Sequence, residues 1–419
     1  MRLRSALAIV AITSTLVCHS YAGGPLIVAG GRFDPAVDAQ PVVWNTSSPV
    51  SYRTASAGGL GKLDNTTANA RVQKLFQVWE DVATAKVRFQ NAGPIQPTGD
   101  YPGGAIDSIA KLGSVFFSCD SGVQTPIIFD AGGRLFDTLF GPGSGIIGFA
   151  GPCDNFDSSG HMLSGLAMLN GKWIDGNPQN GEISDNQFDQ AFVHEFGHLI
   201  GLDHSQISVG VLNQPRDQCD SVMLASLPVM FPFLHCQARL DAGLPLLSAD
   251  DEAWVSMLYP ETVDDAQNHH VRFDSVYGII SGRLLFSDGE SMAQGANLIA
   301  TDQNGTPGAQ VSVVSGYLFT NNPGGQHVTG NNPGDGGFGS HDPLQIGKFE
   351  IPIRAGNYRI AGEAINPAFV GGSSVGPLFP IPFADFSGNS FKVTAGSKTT
   401  GIDIVLRDEL RRFDQFEGK

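Results

Sequence analysis

Three histidines and one glutamate stand close together in the stretch HEFGHLIGLDHS, which begins at His194. His194 and His198 are four residues apart, so on a helix they project from one face and can reach a single cation. Gly201 allows the chain to leave the helix through a backbone conformation that a Cβ hinders, and His204 can then return as third ligand. Three imidazoles leave the fourth position of a tetrahedral zinc ion to water. The pattern therefore predicts one catalytic zinc, with Glu195 beside it.

This stretch resembles the metal-binding motif of the metzincin metallopeptidases. Metzincins have a tight turn with a methionine beneath the metal, and Met223 in Ser-Val-Met follows His204 at an interval usual for the family. Ser205 stands directly after the third histidine, as in the matrixin branch. Astacins and serralysins have a tyrosine two residues after the methionine, whereas Met223 does not. The resemblance is therefore to matrixins, and it implies an α+β catalytic domain that hydrolyses peptide bonds in proteins.

The resemblance also assigns roles to single residues. Glu195 would take a proton from the attacking water and deliver it to the leaving amine. Asp250 and Asp251 match an aspartate pair at the start of a helix, where one carboxylate supports the turn beneath the metal. The other interpretation of this pair is ordinary N-terminal helix charge. Residues 224–247 would wall the pocket for the side chain after the scissile bond, which suggests an apolar preference.

In matrixins an edge strand above the zinc pairs with the extended substrate. The sequence predicts that edge strand at Gly165–Asn170, with Ala167, Met168 and Leu169 at its centre. An ordinary strand of the sheet is the alternative interpretation of the same residues. Protein or peptide substrates are the partners that this resemblance implies.

The first 22 residues predict a secretory signal peptide. Two arginines precede an apolar run that is too short to span a bilayer, and small residues flank a cut after Ala22. The remaining chain has no apolar stretch long enough to cross a membrane, so we expect a secreted, extracellular protein. The formal net charge of −16 argues against non-specific nucleic-acid binding.

Four cysteines follow the predicted cut, and an even number in an exported chain favours disulfides. Of the three connectivities we favour Cys119–Cys153 with Cys219–Cys236, because each pair closes a short loop. Cysteine as a zinc ligand is the competing interpretation, but three histidines already suffice.

Four aspartates in glycine-rich turns are candidate calcium ligands, because carboxylates supply hard oxygen atoms. They are Asp130, Asp137, Asp154 and Asp157. Aspartate and glycine are also plain turn formers, so the interpretation as simple turns stays open. Animal matrixins hold a second, structural zinc with several histidines in this part of the chain, and here only His161 is present.

The chain divides by composition into a helix-containing part and a strand-rich part. We predict a matrixin-like domain at 23–260, a linker at 261–275, an all-β sandwich at 276–407 and a charged tail at 408–419. The sandwich resembles the carboxypeptidase regulatory-like, transthyretin-type family through Ser-Gly-Arg at 281–283 and Ala-Gly-Asn-Tyr at 355–358. Its expected role is stability, spacing or contact with extracellular matrix or cell surfaces. A secreted adhesin with an inactive or narrowly specific protease domain is the rival to a broad peptidase.

Overall fold

The structure is a computed structural model of the 419-residue chain. It describes residues 23–406 apart from 206, 208–210, 213–214, 320–338, 365–383 and 386–389. The predicted signal peptide and the predicted charged tail lie outside the described residues. The described part combines helices with several sheets, which confirms an α+β protein.

The first region, residues 23–260, is built on a five-stranded sheet with the order β3-β2-β4-β7-β5. Strand β5 runs antiparallel to its neighbour β7, and the other pairs are parallel. A separate parallel pair is formed by β1 and β6. The strands are β1 (Val43–Trp44), β2 (Val50–Thr54), β3 (Phe89–Pro94), β4 (Pro126–Asp130), β5 (Gly148–Pro152), β6 (His161–Met162) and β7 (Gly165–Asn170). The helices are α1 (Asn65–Glu80), α2 (Ile109–Asp120), α3 (Arg134–Phe140), α4 (Asp185–Leu199), α5 (Ser221–Ser226) and α6 (Ala249–Leu258).

Helix α1 follows from its sequence at both its start and its buried face. The side chain of Asp64 accepts a hydrogen bond from a free backbone N–H of the first turn. Apolar residues then recur three or four positions apart and form one stripe, which the fold buries. That stripe consists of Val72, Leu75, Phe76 and Trp79. The helix thereby presents a wall of large apolar side chains to the metal-site helix α4.

Both predicted disulfides are confirmed. Cys119 on α2 is bonded to Cys153, which directly follows β5, and the two are 34 residues apart in sequence. Cys219 is bonded to Cys236 across 17 residues. The first bridge fixes the end of β5 to α2, and the second closes the loop that contains α5.

The second region, residues 276–406 with the gaps named above, contains two further sheets. Their strand orders are β10-β9-β12-β13 and β11-β8-β15, and β14 pairs with β12. The strands are β8 (Tyr277–Leu285), β9 (Ala296–Asp302), β10 (Val311–Val314), β11 (Lys348–Arg354), β12 (Gly356–Ala364), β13 (Ala384–Asp385), β14 (Phe391–Val393) and β15 (Lys398–Val405). The sequence predicted two strands at 276–280 and 283–286, and the structure has the single strand β8. Gly282 does not interrupt it, because the missing side chain lets the backbone of Ile402 in β15 approach closely.

The two regions share one hydrophobic core, which includes buried residues of α1, α4 and both sheets of the second region. The predicted linker runs along the first region. Backbone N–H groups of Glu261 and Val271 donate to the carbonyls of Thr84 and Ala83, each at 2.9 Å. Helix α7 (Phe273–Val276) then leads into β8. Among the described helices, none is long and apolar enough to cross a membrane.

Candidate metal centre

Helix α4 positions two of the three predicted histidines. Ser184 and Gln187 form the reciprocal capping box that the sequence predicts at its start. Phe196 of α4 stacks on Phe76 of α1 with ring centroids 3.9 Å apart. The indole Nε1 of Trp79 donates to the carbonyl oxygen of Val193 at 2.9 Å. These contacts fix the rotation of α4, so that His194 and His198 face one point.

Gly201 ends the helix as the sequence predicts. Its φ is +80°, in the region that favours glycine. A Cβ at this position would lie 2.6 Å from Cε of Met162. The turn brings His204 back toward α4, so that the Nε2 atoms of His194, His198 and His204 are 3.0 to 3.1 Å from one another. The structure therefore brings together the three predicted metal ligands.

The other ring nitrogens of the two helical histidines determine the tautomers. Nδ1 of His194 lies 2.8 Å from the carbonyl oxygen of Val229, and Nδ1 of His198 lies 2.8 Å from that of Leu202. A carbonyl oxygen only accepts hydrogen bonds, so each Nδ1 carries the proton and each Nε2 presents a lone pair. Two bare lone pairs 3.0 Å apart repel each other. A cation between these rings would convert that repulsion into attraction.

Burial keeps the three imidazoles neutral. It lowers the pKa of His194 to about 4, and it lowers that of His198, with help from the neighbouring His194, to about 3. The pKa of His204 is also lowered well below its usual value, first by burial and then by the other two histidines. Neutral imidazole is the ligand form, so the site would not have to release protons near neutral pH to bind a metal.

The donor set fits a divalent transition metal. Among the histidine, cysteine, aspartate and glutamate side chains of the described residues, these three histidines form the group that could hold a metal ion. Imidazole suits zinc, copper, iron and nickel rather than calcium or magnesium. Three protein ligands leave a coordination position for water or a substrate atom, as in catalytic sites.

Glu195 belongs to α4, and its side chain lies against strand β5. A Cβ at Gly148 of β5 would lie 3.1 Å from Cγ of Glu195, so glycine leaves room for the carboxylate. Burial raises the pKa of Glu195 to about 8, and a hydrogen bond from the backbone N–H of Ala150 opposes this shift. When deprotonated, this carboxylate is a stronger base than that of an exposed glutamate, and it follows the predicted ligand His194 directly in the chain.

Met230 packs against α4 between the two helical histidines, whereas Met223, which the sequence predicts for this place, lies in α5. Met223 lies in the first turn of α5, where its backbone N–H donates to Asp220. Met230 is 2% exposed, and its Sδ packs directly against Gly197, between His194 and His198 on α4. Its position between Pro228 and Pro232, both turn formers, was the signal in the sequence.

The predicted support from the aspartate pair holds for Asp251. Its carboxylate oxygens accept hydrogen bonds from the backbone N–H groups of Val229 and Met230 at 2.9 and 3.0 Å. The carbonyl of Val229 in turn accepts from His194. Asp251 therefore fixes a metal ligand through one intervening residue. Asp250 points elsewhere, toward the second region.

The prediction of the substrate strand needs a correction. Ala167, Met168 and Leu169 lie in β7, which pairs with β4 on one side and with β5 on the other. Their strand is therefore interior, because the run Gly165–Asn170 is apolar enough to be buried on both faces. Strand β5 is the edge of this sheet in the described part of the chain, and it is the strand next to Glu195. Sequence analysis missed it because its residues, Gly148–Pro152, combine glycine and proline with few strand formers.

Comparison with known proteins adds no relationship. No family model matches the chain, and no curated protein matches it. Among solved structures, a leucine-rich repeat protein from Bacteroides thetaiotaomicron shares 17% identity over 32% of this chain and 12% of that chain, with a TM-score of 0.19. A similarity at that score carries no argument about fold or function.

The four candidate calcium ligands are occupied by separate protein groups. Asp130 accepts hydrogen bonds from the first turn of α3, and Asp137 pairs with Lys172 at 3.0 Å. Asp154 pairs with Arg32 at 3.0 Å, and Asp157 binds Nδ1 of His161 at 2.9 Å. The described residues do not bring these carboxylates together, and calcium binding stays a prediction.

Proposed function

We propose that the protein is a secreted zinc-dependent endopeptidase similar to the matrixins. The observation that carries this proposal is the convergence of the three histidine Nε2 atoms to within 3.0 to 3.1 Å of one another, with Glu195 directly after the first of these histidines in the chain. In this proposal residues 23–260 are a metzincin-type catalytic domain, and the sheets of the second region form a transthyretin-type sandwich. Secretion is proposed from the N-terminal sequence, and the two disulfides are compatible with it.

His194, His198 and His204 would hold the zinc ion. When bound, zinc supplies polarisation of the scissile carbonyl and acidification of a water molecule. Glu195 is placed to take the proton of that water on its carboxylate and to return it to the nitrogen of the leaving amine. The N–H of Ala150 orients this carboxylate.

Strand β5 is the proposed binding edge for the substrate. Its inner edge pairs with β7 from Gly148 to Pro152, and no strand pairs with its other edge in the described residues. An extended peptide can add to such an edge through backbone hydrogen bonds, which accept almost any sequence. A peptide bound at this edge would run alongside Glu195, which supports a protease of broad rather than narrow specificity.

Zinc content and proteolysis test the proposal together. Full-length secreted protein should contain about one zinc per chain and cleave unfolded casein in a manner that a chelator abolishes and added zinc restores. Glu195→Gln should keep the zinc and lose about 10²–10⁴-fold in turnover, since it removes the proton acceptor but not the ligands. The matched control is Glu290→Gln, the same change on an exposed loop, which should cleave at the parent rate.

Three outcomes would count against the proposal. Absence of zinc from the parent protein would refute the metal centre. Cleavage by Glu195→Gln at the parent rate would refute the assignment of the proton acceptor. Zinc without cleavage of any tested protein would favour the adhesin with an inactive domain.

A further inference from the structure

Strand β10 of the second region contacts the base of the metal centre. It lies at the edge of its sheet in the described residues, so its outward backbone groups have no strand partner there. Asp250 and Trp254 of α6 provide those partners. The backbone N–H of Ser312 donates to Oδ1 of Asp250 at 2.7 Å, and the carbonyl of Ser312 accepts from Nε1 of Trp254 at 2.7 Å.

This contact is closed to solvent. Asp250 and Trp254 are each 2% exposed and Ser312 is fully buried. A carboxylate buried to this degree requires hydrogen-bond donors, because it has lost the donors that water would supply. In the described structure, the backbone N–H of Ser312 in the second region is one of the donors that the buried carboxylate of Asp250 in the first region requires.

The contact continues to the third metal ligand. Ser205 follows His204 directly, and its hydroxyl hydrogen-bonds the Asp250 carboxylate and lies 3.4 Å from Oγ of Ser312. The backbone N–H of Ser205 donates to the carbonyl of Met230 at 2.8 Å. Ser205 is therefore held both by the turn beneath the histidines and by the contact between the regions.

The segment at residues 23–26 also contacts the ligand loop. The N–H of Gly23 donates to the carbonyl of His204, and the N–H of Leu26 donates to that of Gly201 at 2.7 Å. A Cβ at Gly23 would lie 2.5 Å from the carbonyl oxygen of Ser312. His204 is thus joined to this segment through its own carbonyl and to β10 through the neighbouring Ser205, so its position depends on both.

We propose that β10 is an integral part of the metal centre, in which Asp250 and Ser312 act as positioning residues for His204. This inference rests on the proposed function, because it assumes that the three histidines bind zinc. It means that the second region is required for tight metal binding and is not a separate appended module. Outer-shell contacts of this kind typically change metal affinity about 10–100-fold.

The test compares variants of the full chain by zinc affinity and by the visible spectrum of the cobalt(II) form, which reports ligand geometry. Affinity is measured by competition with a chromogenic chelator. Asp250→Ala should weaken zinc binding about 10–100-fold and change the cobalt spectrum. Asp250→Asn should stay near the parent affinity, because its amide oxygen still accepts from the N–H of Ser312.

Glu252→Gln is the matched control. It removes a different polar contact between α6 and the second region, the 3.0 Å ion pair of Glu252 with Arg354, which does not reach the ligand loop. It should leave affinity and spectrum unchanged. A change that only loosened the fold would lower the melting temperature without altering the cobalt spectrum of the folded protein.

Parent-like zinc affinity and an unchanged cobalt spectrum in folded Asp250→Ala would overturn the inference. If Asp250→Ala does not fold, the same two measurements are made on Trp254→Phe. This change keeps an aromatic ring and removes the hydrogen bond to the carbonyl of Ser312. It should weaken zinc binding by a smaller factor, and unchanged affinity and spectrum would equally overturn the inference. Failure of the parent itself to bind zinc is a different result, because that would refute the proposed function.

Discussion

Two carboxylates, the buried Asp251 in the first region and the half-buried Glu363 in the second, have very different surroundings. Asp251 in α6 accepts hydrogen bonds from the backbone of Val229, Met230 and Ser248. Glu363 in β12 accepts from Nδ2 of Asn297 at 3.2 Å. Burial raises the pKa of both groups, and that of Glu363 reaches about 7. Several backbone N–H groups thus offset the desolvation of Asp251 near the histidines, whereas a side-chain amide offsets that of Glu363 in the second region.

The difference indicates which buried polar contacts serve the histidine site and which serve only the packing of a sheet. In the first region, buried polar contacts lead from Asp251 through Val229 to His194. In the second region, the contact of Glu363 leads to Asn297 and ends within the sheet. We infer that chemistry is concentrated at the histidines, and three predictions test this contrast.

Removal of a metal ligand should have the largest effect. His198→Ala takes away one of three Nε2 donors, so zinc affinity should fall by more than the factor of about 100 that outer-shell changes reach. Dialysis against a weak chelator followed by metal analysis measures it. His161→Ala is the control, because His161 pairs with Asp157 outside the three-histidine group. Retention of one zinc per chain by His198→Ala would show that these histidines are not the ligands.

Loss of the Asp251 carboxylate should come next. Asp251→Ala leaves three backbone N–H groups without their acceptor in a fully buried place, so the free energy of unfolding should fall by roughly 3 kcal/mol. Zinc affinity should fall as well, because the carbonyl of Val229 fixes His194. Asp251→Asn should lose less, since one acceptor oxygen remains. A melting temperature of Asp251→Ala within about 2 °C of the parent would contradict this role.

The metal ligands could be predicted from sequence because helix geometry fixes them locally. His194 and His198 share a helical face by their spacing alone, and Gly201 indicates the turn before His204. The capping box of α4 and both disulfides were predictable for the same reason, since each depends on residues that the sequence spacing brings together, whereas the cap of α1 is Asp64 and not the predicted Asn65 or Thr66.

The remaining parts of the site depend on contacts between distant segments. Met230 rather than Met223 packs against α4 because of how the chain folds after His204, and the prolines on either side of Met230 indicate a turn but not where that turn packs. The order of strands makes β5 the edge and puts β7 inside, although β7 has the stronger strand sequence. The contact of Ser312 with Asp250 joins positions 62 residues apart, which spacing rules do not reach.

The smallest effect is expected for Glu363→Gln, and it should depend on pH. The pKa of Glu363 is raised from 4.5 to about 7 in the folded protein, mainly by burial. Between those pH values the folded state binds a proton that the unfolded state does not, so the free energy of unfolding contributed by this group falls as pH rises from about 4.5 to 7. Glutamine keeps an oxygen that can accept from Asn297 but does not titrate.

The free energy of unfolding of the variant should therefore match that of the parent near pH 4.5 and exceed it at pH 8 by about 1–2 kcal/mol. This value is smaller than about 1.4 kcal/mol per pKa unit would give, because the side chain is not fully enclosed and solvent screens its charge. Melting curves of both full chains at the two pH values measure the difference. Glu290→Gln, exposed between β8 and β9, should show none. If Glu363→Gln were less stable than the parent at pH 8, the charge of Glu363 would have a stabilising partner. The second region would then maintain a buried charge as the first does, and the contrast between the two carboxylates would fail.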